Sequence, residues 1–195
     1  MRKLTVFATT LLAATPALAH TGHDTASSFT AGLAHPFGGM DHVLAMVSVG
    51  LLACLMKGRA LVLVPAAFVT MMVAGGAMGM AGVALPYTEF GIALSIVVIG
   101  GMVAFGGRTP ALAALAAAGL FATFHGQAHG QEMAAGMSGL GYATGFVLAT
   151  AMLHGIGIGS GIALSRLGEA WGTTLVRVSG GAVAVAGMAV LAAAS

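Results

Sequence analysis

The chain alternates long apolar runs with short polar breaks, and the runs are too long for the core of a soluble domain. After an initial run the pattern predicts six spanning helices, near residues 40–56, 60–82, 89–106, 110–126, 135–163 and 173–193. Each approaches the roughly 20 mostly apolar residues that a helix needs to cross a bilayer. Residues 27–39 lie ahead of the first span and read as a short re-entrant or interfacial helix. The fifth run carries Gly155, Gly157, Gly159 and Gly161, so a kink or an unwound stretch is expected there. The fold class expected is all-α, a polytopic membrane helix bundle.

The first run has a different character. Met1-Arg2-Lys3 is followed by apolar residues to Ala14 and then by Thr15-Pro16-Ala17-Leu18-Ala19. A charged start, an apolar stretch too short to span and an Ala-x-Ala site describe a secretory signal peptide. The expected organisation is therefore a signal peptide over 1–19 and a single transmembrane domain over 20–195. Cleavage after Ala19 leaves the mature N-terminus, His20, outside the cytoplasm.

Composition supports the bilayer as solvent. Of 195 residues only seven are Lys or Arg and five Asp or Glu, 58% are hydrophobic, and the mean hydropathy is +1.01. So few charges do not clothe a water-facing surface, where about a quarter of residues are ordinarily charged. The 31 glycines suit close helix approach in lipid. The net charge of +2 rests on Arg2 and Lys3. With no basic patch interleaved with aromatics, nucleic acid is not an expected partner. Cys54 is the single cysteine, which excludes an internal disulfide and a cysteine-built metal cage.

The remaining charges orient the bundle. With the mature N-terminus outside, the loops near 57–59, 107–109 and 164–172 face inward. Lys57, Arg59, Arg108, Arg166 and Arg177 all lie in or beside them, as the positive-inside rule requires. The expected location is the bacterial inner membrane with a periplasmic N-terminus. His20, His23, His35, His42, His125 and His129 gather on the other side, with Asp24, Asp41, Glu89 and Glu132. Carboxylates clustered at one mouth raise the local cation concentration.

Two stretches carry the chemistry. In His35-Pro-Phe-Gly-Gly-Met-Asp41-His42, Pro36 and the glycine pair break the helix and let His35 fold back towards Asp41 and His42. Asp41 also reads as the N-cap of a helix starting at His42. In Phe124-His125-Gly-Gln-Ala-His129-Gly-Gln-Glu132, the i, i+4 and i+7 spacing puts His125, His129 and Glu132 on one helical face. Imidazole nitrogen and carboxylate oxygen suit nickel, cobalt or zinc. Glu89 is either an interfacial anchor or a further ligand. His154, within the fifth span, is either a later stop on an ion path or a histidine bonded to a neighbouring helix. His20 and His23 read as a metal-capturing terminus. The 13 methionines lack a repeated spacing and read as packing.

These two histidine stretches, with Glu89-Phe-Gly-Ile-Ala93 and the His20 terminus, resemble the HupE/UreJ family over essentially the whole mature chain. The resemblance implies a small permease supplying nickel to hydrogenase or urease, with cobalt as the usual competitor. It implies that His35, Asp41, His42, Glu89, His129 and Glu132 are critical to transport. The partners expected are a divalent metal ion as substrate and the lipid bilayer. No catalytic residue and no resident cofactor is expected. A second copy of the chain, in a homo-oligomer, is a further candidate partner. The chain has no Gly-x-x-x-x-Gly-Lys-Ser/Thr loop, so transport would be secondary. Rival readings are a cobalt or zinc permease, a membrane-embedded metalloenzyme, and a metal-binding accessory protein.

Overall fold

A computed structural model describes residues 25–106 and 108–193. The signal peptide expected over 1–19, and His20, His23 and Asp24, lie outside the described residues. Those described form an all-α bundle: α1 (Thr25–Ala34), a 3-10 turn (His35–Phe37), α2 (Met40–Met56), α3 (Ala60–Met80), α4 (Thr88–Phe105), α5 (Ala111–Glu132), α6 (Gly139–Ser165) and α7 (Glu169–Ala193).

Helices α3, α4, α5, α6 and α7 are long and apolar enough to cross a membrane. The α1–turn segment and α2 make a sixth candidate, bent by 80° where they meet. The expected helix ahead of the first span is thus present as α1, and the turn after it is the elbow. Apolar side chains cover the outside as well as the inside, with Val62, Leu112 and Leu140 exposed. Helices apolar all round belong in lipid. Trp171 and Tyr87 are exposed near opposite ends of the bundle, where aromatic residues anchor an interface.

Helix α2 is the central rod, buried without interruption from Ser48 to Ala53. It packs on α3, α4, α6 and α7, while α3 pairs with α5 and α4 with α7. The α3–α5 pair is closed by small residues. A Cβ at Gly126 would meet the Met72 carbonyl, and one at Gly130 the Gly76 carbonyl. Two such positions four apart let backbones approach in lipid, where no hydrophobic effect drives helices together.

Two expectations are corrected. The span expected at 110–126 runs on to Glu132, because the polar residues following Gly126 face the bundle. Gln127, Ala128 and His129 are all buried. The glycine-rich fifth span is one unbroken helix from Gly139 to Ser165. There Gly157 and Gly161 face α2, at Val47 and Cys54, and give close packing instead of a break.

Candidate metal site

The elbow before α2 is built by its sequence. Pro36 occupies the start of the turn, where a missing N–H costs nothing. The Gly38 N–H closes the turn on the His35 carbonyl at 2.9 Å. Gly39 is extended and precedes α2, which begins at Met40. A Cβ at Gly39 would stand 2.5 Å from Asp41 Oδ1 and 3.2 Å from His42 Nδ1. Glycine therefore leaves room for the Asp41–His42 pair. Asp41 lies in the first turn and not at the cap; its Oδ1 accepts from the His42 backbone N–H at 2.8 Å. Helix α1 is docked by Ser28, whose hydroxyl accepts from the Ser138 N–H at 2.9 Å.

The elbow brings His35 to the end of α5. His35 Nε2 is 3.0 Å and His129 Nδ1 3.2 Å from Glu132 Oε2. The ligand atoms of these three residues all lie within 4.8 Å of one another. These are hydrogen-bond distances, and an ion shared by the three residues would displace the protons that bridge them. His35, Asp41, His42, His129 and Glu132 line one basin of about 550 Å³.

The imidazoles form a continuous stack. The His42 ring centroid is 4.2 Å from that of His129 and 4.6 Å from that of His125, and His35 is 4.6 Å from His129. Their outward nitrogens are tied down. A carboxylate only accepts, so His42 Nδ1–H donates to Asp41 Oδ1 at 3.0 Å and His129 Nδ1–H to Glu132. The Ser95 hydroxyl gives its one hydrogen to the Ile92 carbonyl at 2.6 Å. It therefore accepts from His125 Nε2–H at 2.9 Å. This assigns the three tautomers and leaves His42 Nε2, His125 Nδ1 and His129 Nε2 buried with no hydrogen-bond partner. Fixing a ligating imidazole through its other nitrogen is the usual outer-shell arrangement of a metal site.

The sequence singled out His35, Asp41, His42, His125, His129 and Glu132, and the structure brings them together. Glu89 is not brought in: it is exposed in the first turn of α4 and does not line the basin. Its neighbour Thr88 reaches inward, donating to Gln127 Oε1 at 2.9 Å. His154 is buried but lies deeper, against Phe68. Sequence reasoning missed Ser95, Gln127 and Phe68. An isolated serine in the apolar run of α4 was the available signal for Ser95. Nothing marked Phe68 among so many apolar residues.

The fold and site define a polytopic membrane protein with buried imidazoles beside partly exposed carboxylates at one end of its bundle. The chain belongs to the HupE/UreJ family, whose description, HupE / UreJ protein, matches residues 8–190. It is 45% identical to Protein HupE of Rhizobium leguminosarum bv. viciae over 191 residues, covering 97% of this chain and 98% of the relative. No solved structure matches. The family comprises membrane proteins associated with nickel and cobalt transport.

Proposed function

We propose that this protein is a secondary permease that takes divalent nickel inward across the bacterial inner membrane, for hydrogenase or urease maturation. The observation that carries the proposal is the meeting of His35, from the elbow, with His129 and Glu132, from the end of α5, at ligand spacing. Residues 97 positions apart in the chain form that contact. Membership of a nickel- and cobalt-associated family supports the choice of substrate.

A divalent ion enters lipid only if something replaces its water, because burying a bare charge is very costly. Glu132 and Asp41 draw the cation into the basin. His35, His129 and Glu132 then exchange for its water ligands. The unpartnered nitrogens of His42 and His125 continue the donor series inward. Lys57, Arg59, Arg108 and Arg166 at the opposite end set the orientation, with the histidine end periplasmic. An inside-negative potential then contributes about 2.3 kcal/mol per charge per 100 mV. Cobalt competes, since it accepts the same nitrogen and oxygen donors.

The test is uptake of radiolabelled nickel into liposomes containing the purified protein. His42→Ala and His129→Ala should each abolish it. Unchanged uptake in both variants would falsify the assignment.

A further inference from the structure

Resting on the transport reading above, we propose that His154 is a second, deeper metal-binding station, separated from the histidine basin by the Phe68 ring. Helix α6 gives the depth. Phe146 packs on His129, with ring centroids 4.3 Å apart, so that level of α6 is the level of the basin. His154 follows eight residues later, about 12 Å further along at 1.5 Å per residue.

At that depth His154 is 2% exposed, and neither ring nitrogen has a hydrogen-bond partner. An ionisable side chain buried inside a membrane bundle is costly unless it has a use, and an unsatisfied one more so. The sequence left open a histidine bonded to a neighbouring helix, and no such bond forms. Thr150 stands one turn nearer the basin on the same face of α6. It is fully buried, and its hydroxyl donates to Met72 Sδ at 3.5 Å. Thr150 and Met72 thus stand between His154 and the level of the basin.

Phe68 stands between His154 and the basin. It is fully buried, with its ring centroid 5.7 Å from that of His125 on one side and 5.2 Å from that of His154 on the other, edge-on at 88°. Beyond His154 the same helix leads to a second hollow of about 330 Å³, lined by Gly161, Ser165, Cys54 and Lys57. His154 is therefore a lone nitrogen donor between two hollows, one at each end of the protein. A conduction path works when each site binds well enough to admit the ion and weakly enough to release it. A basin of many donors captures, and a site of few donors releases.

The experiment compares wild type, His154→Gln and His154→Cys in two measurements: nickel binding to detergent-purified protein by calorimetry, and radiolabelled nickel uptake by proteoliposomes. Thermal melting checks that each variant folds. His154→Gln should bind nickel at the basin with wild-type affinity and lose uptake by about tenfold or more, as loss of a metal-supporting group does elsewhere. His154→Cys, which keeps a metal-ligating atom, should recover part of the rate whether or not the glutamine variant folds. Wild-type uptake by folded His154→Gln overturns the station while leaving the permease reading intact. So does loss of basin binding together with uptake, which would make His154 part of the first site. No rescue by cysteine also counts against it. Absence of uptake by wild type overturns the transport reading itself.

Discussion

The α3–α5 and α4–α7 interfaces are built on the same device and enclose opposite things. Both rely on glycine. Gly126 and Gly130 bring α5 onto α3, and Gly100 and Gly180 bring α4 onto α7, with a Cβ at Gly100 only 2.9 Å from the Gly180 carbonyl. Around the second interface the buried residues are Ile96, Ile99, Val103 and Val176. Around the first they include His125, His129 and Gln127 beside Phe68 and Met72. Close packing thus says how the bundle coheres and nothing about what it does. The informative difference is polar: near α5 several buried nitrogens lack partners, which a purely structural interface avoids.

The comparison breaks most sharply at the glycines. Gly126→Leu should abolish accumulation of folded protein, because its side chain would collide with the Met72 and Gly76 backbone. Gly100→Leu should do the same at the apolar interface. Gly155→Leu should be tolerated, since nothing lies within 4 Å of a Cβ there. Membrane-fraction yield and melting temperature read all three. Next in size, Glu132→Ala should weaken nickel binding by about a hundredfold, as it removes a ligand and leaves His35 and His129 without their shared acceptor. Calorimetry on purified protein checks this, and no α4–α7 substitution that preserves folding should match it.

A smaller effect is expected at Ser95, which belongs to α4 but serves α5. Ser95→Ala leaves the His125 Nε2–H without an acceptor and frees the tautomer, so nickel affinity should fall by about tenfold with the fold retained. Acidification should also weaken uptake. Ligating imidazoles and carboxylates bind metal deprotonated, so protons compete and the rate falls as pH is lowered. Flat uptake across the histidine range would remove the imidazoles from the path. Smallest of all, Glu89→Gln should leave nickel affinity in detergent unchanged, since its carboxylate is exposed and outside the basin. A large loss would place Glu89 among the ligands, the alternative its position in the sequence leaves open.

Spans were legible because lipid leaves no alternative to long apolar helices, and the apolar runs mark them directly. Their ends were less so. The tail of α5 is polar enough to look like a loop, yet His125, Gln127 and His129 find their surroundings inside the bundle. The glycines of α6 read as breaks because a lone sequence does not show which helix lies against them. The two histidine stretches stood out as candidates through donor type and spacing. Their meeting, and the supporting role of Ser95, depend on the 80° elbow and on which face of α4 meets α5. Those are tertiary facts that neither stretch contains.

The elbow also has a thermodynamic consequence. Because His35 comes from one end of the chain's described part and its ligand partners from the end of α5, an ion held between them cross-links segments that the unfolded chain would let drift apart. Ligand linkage then adds about 1.4 kcal/mol of folded-state stability for each decade of free nickel above the dissociation constant. The protein should melt later as nickel becomes abundant, and α1 should gain most of that protection.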